Sequence, residues 1–364
     1  LTESAGNDLC PVAATGADGS VMVAWMAGAN GKFEIRSRML RDGDWAAESR
    51  VSSHDGNCWN PAIAAHGGRF AIAWDTYAKG DYDVWLKFSD GEPLPIATTA
   101  DYEARASLAF DKDGALWIAF EKSGPTWGKD WGAYDSADGI GLYKNRQIGL
   151  VVHKNGELFE PAASIADALP GSTARRNAKA KAKPADEQVS APPSNPELAD
   201  GLAFLEPAQR RGAPGAHAEA TGPQTYNNLG RLICDSAGRI WVIARTRLNS
   251  FRGPVGSAWG SVAAYLDGDQ WVGPITIPHS DNLIYNLPAL AAGPNNLFIA
   301  HSSDHRMDRL AEFNRAKTPG GKGGNAALDS SIDPFDNDVY FSRIAIPGEA
   351  KPAVGSAGNG AAIA

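Results

Sequence analysis

Cysteine is scarce in this 364-residue sequence: Cys10, Cys58 and Cys234 are too few for a disulfide framework, and no CxxC pair offers a zinc ribbon or redox motif. Cys234, inside the apolar run LICD, reads as a small buried hydrophobe. Cys10 and Cys58 fall at nearly equivalent repeat positions, so a single bridge between them is an open reading. Apolar runs stay well short of the ~20 residues of a spanning helix. Lys+Arg number 34 against 42 Asp+Glu, a net charge of −8, so the basic surplus of a general nucleic-acid binder is missing. No Gly-rich phosphate cradle joins a strand to a helix and no nucleophile elbow occurs, which leaves nucleotide-binding and serine-hydrolase readings without support and calls for no cofactor. There is no charged-then-apolar leader, and residues 347–364 are rich in Pro, Gly, Ala and Ser, the look of a processed chain or of a piece of a longer one ending in a flexible linker.

Glycine and proline, 40 and 23 residues, are plentiful and favour many short strands over long helices. Their distribution reveals a repeat. Five segments run from a small or Pro-containing start through an apolar strand, a turn and a second apolar strand: PVAATGADGSVMVAWM from Pro11, PAIAAHGGRFAIAWD from Pro61, ASLAFDKDGALWIAFE from Ala106, GRLICDSAGRIWVIAR from Gly230 and PALAAGPNNLFIAHS from Pro288. They start 50, 45, 124 and 58 residues apart, and the one long interval becomes ordinary if 165–222 is an insertion. Four units continue into a third strand and, after Asp-Gly or Asn-Gly, a fourth; the last ends on the third strand DVYFSRIAI. Four short strands joined by tight hairpins, repeated every 45–60 residues or so, predict an all-β propeller of about five recognisable four-stranded blades, or a part of a larger ring. The second strands are apolar at nearly every position, as expected of blades covered on both faces. The propeller is assigned to 1–346. Segment 165–222, with ARRNAKAKAKPADEQVSAPPSNPE, is read as a surface loop unable to offset its ordering entropy, its Arg and Lys residues solvated or touching an anionic polymer.

In such a ring the loops that follow second strands, and those that link blades, converge on one face. Here they are long and rich in charge and aromatics: DTYAKGDYD, EKSGPTWGKDWGAYD, RTRLNSFRGPVGSAWG and HSSDHRMDRLAEFNR. Aligned repeats place Asp75, Glu121, Arg245 and Ser302 in one column. Arg105 joins a second, inter-blade column with Cys10, Asn60, Leu229 and Leu287. Arg245, Arg247 and Arg252 can fork onto a sugar carboxylate or a phosphate, although structural ion pairing between blades calls for the same residues. His301, Asp304, His305 and Arg306 form the run HSSDHR; a third and fourth ligand are lacking, so no metal site is assigned. Either histidine could serve as a base, with Glu121 as acid, in cleavage of an acidic polymer. Trp59, Trp127, Trp131 and Trp259 lie in or beside the loops, where a ring can stack on the apolar face of a sugar or simply pack between blades.

The stretches NPAIAAHGGRFAIAWDTYAKGDYDVWLK, EARASLAFDKDGALWIAFEKSGPTWGKDWG and NDVYFSR resemble the repeat propeller that precedes a metal-dependent, PHP-like phosphoesterase domain in secreted bacterial proteins, with the run Trp127 to Asp130 its most specific part. Sialidase-like and WD-repeat propellers share the generic units, and Asp111 to Trp117 and Ser236 to Trp241 are loose relatives of an aspartate box. The resemblance implies an extracellular or periplasmic, non-catalytic or substrate-presenting propeller whose partner is a C-terminal hydrolase domain absent from this sequence. The expected ligand is a carbohydrate or other polar polymer, held by Asp75, Arg105, Trp127, Lys129, Asp130, Arg245, Arg247, Asp304 and Arg306. A propeller lyase or glycoside hydrolase using Glu121 and His301 or His305, and a protein-interaction platform, are the alternatives.

Overall fold

The computed structural model describes residues 2, 6–29, 31–53, 56–78, 80–125, 127, 145–171, 225–248, 258–283, 287–316 and 337–348. Lys129, Asp130, Trp131 and Arg252, together with the tracts 172–224 and 349–364, lie outside them. Among the described residues twenty strands form five antiparallel sheets in chain order. Blade 1 holds β1 (Asp8–Thr15), β2 (Val21–Ala29), β3 (Lys32–Arg41), β4 (Asp44–Trp45) and β5 (Ser49–Arg50), the last two sharing the outer edge of β3. Blade 2 is β6 (Asn57–His66), β7 (Arg69–Tyr77), β8 (Asp83–Phe88) and β9 (Leu94–Ala97); blade 3 is β10 (Tyr102–Phe110), β11 (Leu116–Ser123), β12 (Gln147–Lys154) and β13 (Glu157–Phe159). Blade 4 is β14 (Asn228–Cys234), β15 (Ile240–Arg247), β16 (Trp259–Asp267) and β17 (Gln270–Thr276); blade 5 is β18 (Ala289–Ala292), β19 (Asn296–Ser303) and β20 (Asp338–Ala345). The all-β propeller of five repeating units is therefore the observed architecture, and the last unit has three strands among the described residues. One helix, α1 (Arg306–Ala316), follows β19.

The hairpin chemistry behaves as the sequence suggests. Asp42-Gly43 and Asn155-Gly156 both take positive φ at both positions, the twist that suits two-residue turns between third and fourth strands. A second device sits at the hairpins between first and second strands of blades 3 and 4. The Asp111 carboxylate accepts from the amides of Asp113 and Ala115 and from the Trp117 indole at 3.1 Å. Asp235 repeats this with Ala237, Arg239 and Trp241, whose indole donates at 2.8 Å. Two segments that read as loose relatives of an aspartate box thus share one working turn, in which a carboxylate closes the hairpin and fixes a mid-strand tryptophan.

The apolar second strands are buried from both sides because four cores lie between successive blades. Met22, Ile35, Phe70 and Trp74 fill the first, between blades 1 and 2, and Leu86, Leu116 and Ile118 the second. Val152, Leu232, Val242 and Val262 fill the third, between blades 3 and 4, while Trp241, Ile243, Leu297 and Ile299 fill the fourth. The third core also takes in Ile165, Ala168 and Leu169 of a 3₁₀ turn, Ile165–Ala168. Residues 165–171, read as the head of a surface loop, belong to the body because Ile165 and Leu169 have an inter-blade cleft to fill. All three cysteines are free, with Cys10 exposed and Cys58 buried, so the bridge between them is not made.

Asp235 also pairs with Arg239 at 3.0 Å, both side chains almost wholly buried. Removing one partner strands the other charge and an indole N–H, so Asp235→Ala should lower the unfolding free energy by about 3–5 kcal/mol. Asp111→Ala, at a half-buried turn without an arginine partner, should cost less in the same urea titration. Equal costs, or an Asp235→Ala loss under about 1 kcal/mol, would contradict the assignment.

Candidate functional site

The feature that positions the candidate site is a bulge repeated near the start of the first strand of blades 1 to 4. Strand register slips between Leu9 and Val12, Trp59 and Ala62, Ala104 and Ser107, and Asn228 and Arg231. In each slip one non-glycine residue takes the left-handed conformation: Cys10, Asn60, Arg105 and Leu229, with φ between 50 and 58°. Such backbone is unfavourable for residues with a Cβ and persists where surroundings hold it. At two of the four, a buried carboxylate from the end of the preceding blade's second strand does the holding. Asp75 accepts the Arg105 amide at 2.7 Å, and Glu121 accepts the Leu229 amide at 2.8 Å. Two columns that the sequence places in register are thereby joined by hydrogen bonds across the blade interfaces.

Both carboxylates have further partners. Asn60 donates its side-chain amide to Asp75 at 2.7 Å, and Arg105 reaches Glu121 with its guanidinium at 3.4 Å. Asp75 is fully buried, and that desolvation pushes its pKa up to about 7, outweighing the hydrogen bonds that favour the anion. Arg245, the third member of the column, carries the opposite charge and bonds the Leu283 carbonyl at 3.0 Å with its guanidinium over the Trp259 ring.

Above this layer, at the same end of blades 2 to 4, arginines lie on aromatic faces. The Arg146 guanidinium is 3.5 Å from the centroid of Tyr102, and that of Arg247 is 3.6 Å from Tyr226, which in turn meets Trp259 edge-on. Tyr102 packs with Trp127 and Tyr82, and Tyr82 touches Trp59 and Tyr77, so a continuous aromatic patch spans blades 2 and 3. Trp127 is itself buried within that patch, so it supports the surface rather than offering an open stacking face; Trp59, Tyr82 and Tyr226 are half-exposed. Burial raises the Tyr102 phenol above its ordinary range, which keeps it neutral. Sequence reasoning passed over Tyr82, Tyr102 and Arg146. Tyr82 lay in a loop already singled out, whereas the bearing of Arg146 on Tyr102 depends on β10 and β12 flanking the same central strand.

The histidines belong to another place. His301 and Tyr340 are opposite one another on β19 and β20, their rings stacked 6.0 Å apart, and His279 stacks on Tyr340 at 4.8 Å. His301 also contacts Ser342 at 3.1 Å, and burial lowers its pKa. His305 bonds Asp338 at 2.8 Å and lies near Asp308, carboxylates that raise its pKa. Asp304 and Arg306 form a buried pair at 2.6 Å, and Asp304 also accepts the Leu283 amide, so both serve the junction of blades 4 and 5. Of the residues expected to form one site, then, Arg105 contacts both Asp75, through its amide, and Glu121, through its guanidinium. Arg245 and Arg247 stand on blade 4, the Asp304–Arg306 pair meets Arg245 through Leu283, whose carbonyl and amide they share, and His301 and His305 gather instead around Tyr340. Among the described residues no group of three His, Cys, Asp or Glu could hold a metal ion.

No family model matches the chain and no curated protein does. Solved structures with a similar fold include a protein of unknown function from Dyadobacter fermentans, at 12% identity and TM-score 0.43, over 82% of this chain and 76% of the other. A thermostable family-43 glycoside hydrolase matches at 11% identity and TM-score 0.39, over 95% and 92%. A polysaccharide lyase, an ulvan lyase of family PL25, matches at 11% and 0.43, over 80% of this chain and 63% of the other. Likenesses at this level assign no activity to this chain.

Because Asp75 binds its proton more tightly folded than unfolded, it favours the folded state most below about pH 4, and that contribution is lost as the pH rises through about 7. Unfolding free energy measured from pH 4 to 8 should therefore carry a declining component of the order of 4 kcal/mol at most, and Asp75→Asn should flatten it. An unchanged pH slope in the variant would contradict the assignment.

Proposed function

We propose that this chain is a carbohydrate-binding propeller whose Arg and aromatic end, on blades 2 to 4, holds an anionic polysaccharide without cleaving it. In this reading it is an extracytoplasmic scaffold or substrate-presenting module working with a metal-dependent hydrolase domain, as the family resemblance implies. The observation that carries the reading is the half-buried Arg247 guanidinium over the Tyr226 ring, beside half-exposed Tyr82 and Trp59, on a base in which Arg146 lies buried over Tyr102. A stacked guanidinium keeps its edge for a carboxylate or sulfate, while the neighbouring rings suit the apolar face of a sugar. Four arginines gather here around two carboxylates, one of them shifted to about 7, on a chain of net charge −8. That local excess favours a negatively charged ligand. The binding reading is preferred to catalysis because both carboxylates are committed to inter-blade hydrogen bonds and the histidines lie in a different cluster.

Retention should therefore be strong on polyuronates and sulfated polysaccharides, weak on neutral glucans, and progressively lost with added salt. Arg247→Ala should weaken it about tenfold while leaving the thermal midpoint within a few degrees. New reducing ends or unsaturated uronate products, abolished by Glu121→Gln or His301→Ala, would replace this reading by the enzymatic one. Equal retention on neutral polymers would remove the role given to the arginines.

A further inference from the structure

Five blades require five contacts to close a ring, and the described residues make four. The buried apolar clusters join blade 1 to 2, 2 to 3, 3 to 4 and 4 to 5, and among the described residues none joins blade 5 to blade 1. The two faces that remain are apolar on their inner strands, while on blade 1 the third strand adds Glu34, Arg36 and Arg38 and the buried Trp25 lies beside them. On blade 5 the side turned away from the fourth core carries Phe341 and Val339, 69% and 81% exposed, with Phe298 stacked on Phe341 and exposed Ala289 and Ala291 alongside. On blade 1, Val12 and Ala14 face the first core, so Ala13 and Thr15 of β1 point the other way with Val21 and Val23 opposite them, and Leu9 at the head of the same strand is 44% exposed. Of the seven exposed large hydrophobics among the described residues, Leu9, Val339 and Phe341 lie on β1 or β20, and Leu287 just precedes β18. A patch of this make on two facing ends marks a surface built to be covered.

The bulge says what covers it. Left-handed Arg105 and Leu229 each offer an amide to a carboxylate of the preceding blade, and β1 carries the same bulge with Cys10 in the same conformation, where the described residues supply no carboxylate. Asn60 is the variant of this pattern: Met26 stands in the column before it, and its own side chain turns to Asp75. Blade 5 presents no carboxylate at this position, its column residue being Ser302, whose hydroxyl takes the Asn282 amide at 3.2 Å. The same mismatch applies to blade 5 of a second copy, and it would also bring Arg343 toward the Arg38 side of blade 1. We infer that the open face of blade 1 docks a further four-stranded blade of this same repeat, distinct from the five present, whose second strand ends in Asp or Glu and caps the Cys10 amide.

The test attaches such a blade. A second copy of residues 57–101, ending its second strand in its own Asp75, is fused ahead of Asn7 of the otherwise full chain, which reproduces the native run from β9 into β10. A reporter thiol is placed at Ala13→Cys with Cys10→Ser and Cys234→Ala. Maleimide labelling of that thiol is expected to be fast in the parent chain and at least tenfold slower in the fused chain, with part of the protection lost when the added copy carries Asp75→Ala. Equal labelling with and without the added blade overturns the inference. So does a parent chain whose thiol is already protected, whether as a monomer, meaning blade 5 closes the ring, or as a dimer by sedimentation, meaning a second copy covers the face. These parent-chain results stand even where the fused protein does not fold.

Discussion

A buried carboxylate that accepts the backbone amide of the next blade is the contact on which the candidate site depends. Asp75 and Glu121 each hold a left-handed residue in the following blade, and so fix where the first strand of that blade begins. That fixes the height at which Arg105, Tyr102 and Tyr226 stand relative to the axis. Burying an unpaired carboxylate is costly, and these two are tolerated because each closes hydrogen bonds that the bulged strand cannot make within its own sheet. The pKa of Asp75, near 7, measures how hard the surroundings press against its charge.

The arginine and aromatic layer is built on that base. Apolar second strands pack the blades face to face, and the polar column appears only at their ends, where the packing gives way to loops. A polysaccharide could be held there by stacking and by charge without disturbing the cores beneath. The histidine rings gather around Tyr340 on the face of blade 5 turned to blade 4, so their chemistry is read separately from that of the arginine layer.

Much of the fold was legible in the sequence because the signals are local: Asp-Gly and Asn-Gly turns, near-continuous apolar second strands and a repeat of roughly constant length. The column of Asp75, Glu121 and Arg245 was legible for the same reason. What the alignment could not give is the partner of each side chain. Glu121 and Leu229 are 108 residues apart, and their meeting follows from blade packing alone. Trp127 could be read as a sugar platform or as packing, and it is buried, because Tyr82 and Tyr102 come from different blades to cover it. Cys10 and Cys58 occupy related repeat positions, and that is why they stay apart: equivalent positions of adjacent blades are held a blade's thickness from one another, and one cysteine is exposed while the other is buried.

The most direct measurement of the inter-blade contact is amide hydrogen exchange at the bulge residues, resolved by NMR in the full chain. The account predicts that the Arg105 and Leu229 amides exchange near the slow limit set by global unfolding, while the Cys10 amide, with the same backbone conformation and no carboxylate among the described residues, exchanges orders of magnitude faster. Fast exchange at Arg105 and Leu229, indistinguishable from Cys10, would contradict it.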